Sequence, residues 1–372
     1  MDGERVPVIL RKGFIVKKKK KRKGKIWTKV LWGLCLVASV FAGFWIARTQ
    51  IVFSSVNQDT QNVLKDIELP EGTYKSDKKI VNVLIIGNDY REETGYSSSV
   101  GLPDSMMIGT LDKKHKTLKL TSLMRDQLVQ IPGYGQNKLN ATFGYSEDGV
   151  SLLYKTIAQN YNIKLDGYVE LDFNAVKEVV NSVGGIDVEL TESEANYLNT
   201  TNYIKPSKYR NVKVGKNKLN GAQALGYSRI RKTVFTPTGL TDDYGRTWRQ
   251  RNVVNGVFSK VKSMSLSQLM DLAQTVLSKY VKTDLSSSDI IGYIKDVVLM
   301  GTTDIYQLQI PVEGYYSNDH DYGTLGDVLL PDLAANSEAL NQFIFDYKGA
   351  EGEEFTYTPS GGSGQTTDAS QY

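Results

Sequence analysis

The chain has 372 residues, 40% of them hydrophobic, enough for a large folded core, and a formal net charge of +4. That charge is uneven: residues 1–29 hold 12 of the 45 Lys and Arg but 2 of the 41 Asp and Glu, leaving 33 basic against 39 acidic residues elsewhere. A mildly acidic body argues against a nucleic-acid partner, one cysteine (Cys35) excludes a disulfide framework or thiolate metal site, and His115 and His320 lie near no nucleophile motif, which argues against a Ser-His-Asp hydrolase.

Residues 17–25 are almost all Lys and Arg, and Val30–Ala47 is an uncharged apolar run closed by Arg48. Eighteen such residues just suffice to span a bilayer core as a helix, and no small-residue cleavage pattern follows. The expected plan is a cytoplasmic basic tail (1–29), one transmembrane helix (30–47) and an extracytoplasmic stalk (48–79), because the positive-inside rule keeps the lysines in the cytoplasm. A folded domain (80–347) and a Gly-, Ser- and Thr-rich disordered tail (348–372) follow.

Within the domain, Ile80–Gly87 reads as a central strand buried on both faces. Met106–Leu111 and Leu118–Met124 form an expected hairpin, and Pro132–Asn140 a glycine-punctuated loop. Val150–Tyr161 is a helix, Tyr168–Phe173 a strand, Ala175–Val183 a helix stopped by Gly184-Gly185, Ile186–Leu190 a strand and Leu219–Gly226 a short helix. Helices are expected over 245–264, 266–280, 288–300 and 334–345, with a strand over 305–310. The alternation predicts an α/β fold: a three-layer sandwich with a central mixed β-sheet between helices, preceded by the transmembrane helix. Asp89, Asp104 and Arg125-Asp126 fall at strand ends, where open α/β sheets collect ligands.

The densest charge signal is Tyr227–Arg251, where Arg229, Arg231, Lys232, Arg246, Arg249 and Arg251 face only Asp242 and Asp243. Alternation puts Arg229 and Arg231 on one side of an extended segment, while Arg246, Arg249 and Gln250 share a helix face. Guanidinium forks match phosphate oxygens two at a time, so the stretch suggests a phosphate ligand. Arg249 is also compatible with a structural helix turn, Arg251 points away from the Arg246 face, and Asp172 and Asp187 read as capping or turn residues. His320, between Asp319 and Asp321, reads as part of a polar loop.

Gly87-Asn88-Asp89, Asp104-Ser105-Met106-Met107, Arg125-Asp126, Lys138–Ala141, Leu219–Leu225, Ser228–Arg231 and Asp243–Arg246 with Arg249-Gln250 occur in an order that resembles the LytR-CpsA-Psr family of Gram-positive envelope proteins. The resemblance implies a phosphotransferase that moves a glycopolymer (teichoic acid, capsule or another polysaccharide) from a polyprenyl-pyrophosphate carrier to peptidoglycan, at the outer face of a Gram-positive cell membrane. It implies Asp89 and Asp104 as Mg2+-associated carboxylates. Arg125, Lys138, Arg229, Arg231, Arg246 and Gln250 would contact the pyrophosphate, and Asp243 would assist the acceptor hydroxyl, with Arg125, Arg229 and Arg231 counted among the catalytic groups. The alternatives are a pyrophosphatase acting on the same lipid and a non-catalytic protein that senses lipid-linked precursors. Leu102-Pro103 precede Asp104 where the family usually has an arginine two residues before the aspartate, so one phosphate contact is missing.

Overall fold

A computed structural model describes residues 57–58, 67–69, 74–88 and 102–359, except 147, 233, 266–267, 270, 273–274, 277–279, 303 and 351–352. The expected membrane helix at 30–47 lies outside the described residues, among which no helix is long and apolar enough to cross a membrane.

A mixed seven-stranded sheet forms the middle layer, in the order β1-β10-β7-β2-β3-β4-β11. These strands are β1 (Asn57–Gln58), β2 (Ile80–Asn88), β3 (Pro103–Asp112), β4 (Thr117–Leu123), β7 (Gly167–Asp172), β10 (Val281–Thr283) and β11 (Ile305–Ile310). Between β4 and β7 lie β5 (Leu128–Ile131) and β6 (Gly135–Lys138), which pair as a separate hairpin, so the expected loop at 132–140 supplies the hairpin turn and its second strand. The expected hairpin is present as β3 and β4, with Met106 opposite Leu123. β2 runs parallel to β7 and antiparallel to β3. Its even positions Leu84 and Ile86 are fully buried, and each such side chain contributes about 2 kcal/mol through lost water contact.

Those side chains join an apolar cluster with α1 (Gly149–Tyr161) and, near the C-terminus, α7 (Leu333–Asn341). On the other side, a second cluster gathers α2 (Phe173–Ser182), α3 (Glu192–Thr200), α4 (Gly221–Ser228) and α5 (Asp242–Val261) around β8 (Ile186–Leu190) and β9 (Gly215–Leu219). The sheet between helices is the α/β layering that the sequence predicts. α6 (Ser287–Met300) begins with a capping box in which Ser286 and Asp289 exchange hydrogen bonds. β12 (Tyr316–Asp319) and β13 (Val328–Pro331) make a further small hairpin.

Three expectations need correction. Ile186–Leu190 is a strand, but it pairs with β9 outside the central sheet. Its alternating burial explains this: Asp187 and Glu189 face solvent, which suits a one-sided hairpin. The stretch 48–79 is not simply a stalk, because β1 pairs with β10 and Ile67, Leu69 and Tyr74 pack against the first core. The tail expected from 348 also has a packed portion, with Phe355 ringed by Phe343 and Tyr347 and Tyr357 edge-on to Tyr315. Both stretches carry apolar residues too sparse for a periodic signal, and their partners lie far away in sequence.

Candidate active site

The cavity between the sheet and the second helical layer measures about 320 Å³. Strand alternation builds its floor: Leu84 and Ile86 enter the core, so Ile85 and Gly87 face the cavity, joined by Met107 and Leu171. At Gly87 the β2–β3 register shifts, and a Cβ there would lie 3.1 Å from that of Ser105. Glycine thus permits the close approach of the two strands where the ladder is irregular, and the next residue, Asn88, is buried and donates to Glu170 at 2.5 Å. Helices α2, α4 and α5 supply Val176, Leu225, Val253 and Val254 as an apolar wall.

Each helix also delivers a polar group. The Asp172 carboxylate caps α2 by accepting from Ala175 N at 2.6 Å, and it sits at the cavity edge, so capping and location coincide. Asn220 and Gln223 form a capping box that starts α4, which carries the chain through Ser228. Arg229 then sits at the helix C-cap in right-handed backbone geometry, so the segment is a helix end and not the extended strand that alternation suggested. Arg229 and Arg231 still both reach the cavity, because buried Ile230 anchors the turn between them. The Arg229 guanidinium lies 4.6 Å from the Phe173 ring centre and 5.7 Å from that of Tyr203, contacts that favour a cation held over an aromatic face.

Six of the expected residues line the cavity together: Asp104, Arg125, Arg229, Arg231, Arg246 and Gln250. The Asp104 Oδ1 atom accepts from Arg125 Nη1 at 2.5 Å and lies 3.6 Å from Arg231 and 3.5 Å from Arg246. Asp243, in the first turn of α5, pairs with Arg246 at 3.0 Å and with Arg125 and Arg231 at 3.4 Å each. Arg246 is almost wholly buried, and its Nε has no hydrogen-bond partner among the described residues. A buried guanidinium N–H lacking an acceptor is costly. Lys138 does not line the cavity; it ends β6 with its ammonium 3.8 Å from Asp126. Asp89 lies outside the described residues.

Asp126, which the sequence reading did not assign a role, completes the network: it pairs with Arg125 at 3.2 Å and shares a hydrogen bond with Asp243. Burial and that hydrogen bond push the Asp243 carboxyl up to about 6, although Arg125 and Arg231 pull the other way. Burial also opposes charge on Asp126, but its hydrogen bond with Asp243 and the Arg125 and Lys138 cations outweigh this and hold it below the usual range. Two neighbouring carboxyls thus titrate apart, a pattern typical of acid–base sites. The sequence signals for Asp126 were its place at a strand end beside Arg125 and its presence in the Arg125-Asp126 motif.

The two arginines set apart in sequence go elsewhere. Arg249 is fully buried, paired with fully buried Glu194 at 2.7 Å and donating to Val234 O at 2.8 Å. It leaves the Arg246 face and ties α5 to the loop that carries Arg231. Arg251 is buried against Gln307 and Gln309 of β11. Asp187 pairs with Lys260 on the surface, and His320 with Asp327 at 3.1 Å in an exposed loop.

A profile of the LytR_cpsA_psr family matches residues 49–332. The chain belongs to the LytR-CpsA-Psr family. Among members similar to it is the polyisoprenyl-teichoic acid–peptidoglycan teichoic acid transferase TagT of Bacillus subtilis, 29% identical over 301 residues that cover 78% of this chain and 88% of TagT. The Enterococcus faecalis transferase TagU is 36% identical over 243 residues, covering 61% of this chain and 72% of TagU. A solved LytR-CpsA-Psr structure, YwtF (TagT) with bound octaprenyl pyrophosphate lipid, superposes with a TM-score of 0.52 at 23% identity, over 75% of this chain and 99% of the other, and shares the fold. Within this LytR-CpsA-Psr domain, four cations (Arg125, Lys138, Arg231 and Arg246) pair with three carboxylates (Asp104, Asp126 and Asp243) beside an apolar slot, and Arg229 lines the same cavity from its place over Phe173 and Tyr203.

Proposed function

We propose that this protein is a phosphotransferase that moves a glycopolymer from a polyprenyl-pyrophosphate carrier to peptidoglycan. The observation that carries this reading is a single cavity with a guanidinium-lined polar end and an apolar wall, complementary to a pyrophosphate joined to an isoprenoid chain. The named activities of TagT and TagU support it.

In this reading Arg125, Arg229, Arg231 and Arg246 hold the pyrophosphate oxygens, with Gln250 donating beside them, and Lys138 contributes positive charge through Asp126. Phosphoryl transfer needs positioning and charge neutralisation more than covalent help from the protein. Arginine cations fixed by buried carboxylates are already oriented, so little reorganisation accompanies the reaction. Asp243, poised near neutrality, takes the proton from the acceptor hydroxyl as its oxygen attacks phosphorus and the lipid phosphate leaves.

Mg2+ fits the donor chemistry. No group of three or more ligating side chains converges among the described residues, but Mg2+ needs only one or two carboxylates when phosphate oxygens and water complete its shell. The Asp104 ion pairs among the described residues all run to Oδ1, which leaves Oδ2 for a hard cation; Asp89 is the proposed second carboxylate. Bound there, Mg2+ would neutralise charge on the pyrophosphate. The lysine run and the apolar stretch 30–47 support a single-pass anchor with the N-terminus cytoplasmic and the domain outside, where a lipid-linked donor is at hand.

The test is transfer from a synthetic polyprenyl-pyrophosphate-linked oligosaccharide to peptidoglycan fragments, with Mg2+ varied. Arg229→Ala should reduce transfer by about 10³-fold or more, as expected for a cation on the transferred phosphate; undiminished transfer overturns the assignment. Release of lipid phosphate at the same rate with and without acceptor would mark a pyrophosphatase instead.

A further inference from the structure

A stacked pair of tyrosines lies on the surface next to this network. Tyr134 is 50% exposed and Tyr145 38% exposed, with ring centres 4.7 Å apart and planes 21° from parallel. Neither ring belongs to either apolar core. Gly133 and Gly135, both at positive φ, flank Tyr134 and form the tight turn that presents it. The Tyr134 hydroxyl donates to Tyr145 O at 2.9 Å, and Asn137 Nδ2 donates to the Tyr145 hydroxyl. The pair is thus fixed before any ligand arrives, which lowers the entropic cost of binding.

Two routes connect this pair to the site. The strand after the Tyr134 turn ends at Lys138, which pairs with Asp126 and, through it, approaches Asp243. On the other side, Leu102 is 48% exposed and lies against the turn that bears Tyr145: a methyl built on Gly144 would sit 3.8 Å from Leu102 Cδ2. Two residues later the chain reaches Asp104. Leu102 thus extends the exposed tyrosine pair along the chain towards Asp104, with Asn137 at the edge of the rings.

We propose that Tyr134, Tyr145 and Leu102 form a docking platform for the acceptor glycan, with one pyranose ring stacked on the exposed tyrosine face. A pyranose has an apolar C–H face and hydroxyl edges, which suits a flat aromatic surface bordered by Asn137 and the tyrosine hydroxyls. The acceptor is favoured over the donor's lipid because none of the three residues lines the lipid cavity. It is favoured over the donor's own glycan because the strand that follows Tyr134 ends at Lys138, which pairs with Asp126 beside Asp243, where the accepting hydroxyl must lie. Leu102 would then serve the glycan at a position where a phosphate-binding arginine is the more usual residue. This inference rests on the acceptor being a peptidoglycan glycan.

The experiment uses the full-length chain in detergent and soluble oligosaccharides of alternating N-acetylglucosamine and N-acetylmuramic acid. Binding is followed by saturation-transfer NMR titration, and transfer is measured separately. Tyr134→Ala should weaken oligosaccharide binding by about 10-fold, the scale of one lost ring contact, and raise the acceptor KM equally without moving the donor KM. Tyr134→Phe, which keeps the ring, should retain most of the affinity and shows that loss in the alanine variant is not unfolding. Acceptor affinity unchanged within twofold in Tyr134→Ala, or a rise in donor KM alone, overturns the platform. If the wild-type chain binds the oligosaccharide through Tyr134 but transfers nothing, the proposed reaction fails while the platform stands.

Discussion

Asp243 offers the sharpest test of the proposed chemistry. Its carboxyl, buried and sharing a hydrogen bond with Asp126, is pushed up to about 6 from an ordinary 3.8. A general base works only when deprotonated, so kcat/KM for transfer should rise with pH through about 6 and level off above it. At pH 5 about one tenth of the enzyme would hold the ionised form, giving about a tenth of the plateau rate. Asp243→Asn should remove the limb and cost about 10²–10⁴-fold in kcat/KM. Asp126→Asn removes a negative neighbour and the hydrogen bond that raises the Asp243 pKa, so its limb should move towards acid. The assay is initial-rate transfer from a polyprenyl-pyrophosphate-linked donor between pH 4.5 and 8, with domain integrity followed by circular dichroism. A wild-type profile flat from pH 5 to 7.5, or an Asp126→Asn limb displaced towards alkali, would refute the assignment of Asp243 as base.

Arg249→Ala leaves Glu194 charged and unpaired in the core, which should destabilise the domain by about 3–5 kcal/mol and lower Tm by roughly 6–10 °C; a calorimetric shift below about 2 °C contradicts the structural role given to this pair. Val254→Trp puts an indole into the cavity wall, so the KM for long-chain polyprenyl donors should rise more than that for short-chain ones. Equal KM changes for the two chain lengths would place the lipid elsewhere.

Much of this protein was legible before any coordinates. The apolar β-branched run of β2 leaves a local composition signal, and both central β2 and edge strand β11 match expectation nearly residue for residue. The candidate site residues stood out because arginine at strand and helix ends, unbalanced by acid, suggests an anion. Six of them meet at one cavity. The sequence could not show which arginine of α5 faces the ligand. Arg246 and Arg249 are one helical step apart, yet Arg249 is withdrawn into the core by Glu194, which is 55 residues away. The same limit hid Asp126, whose proton-sharing partner is a carboxyl from another element, and the sheet edge made by β1 and β10, which comes from segments more than 200 residues apart. Local pattern determines which residues are buried and which carry charge. Only tertiary contact decides which charges neutralise one another and which remain for a ligand.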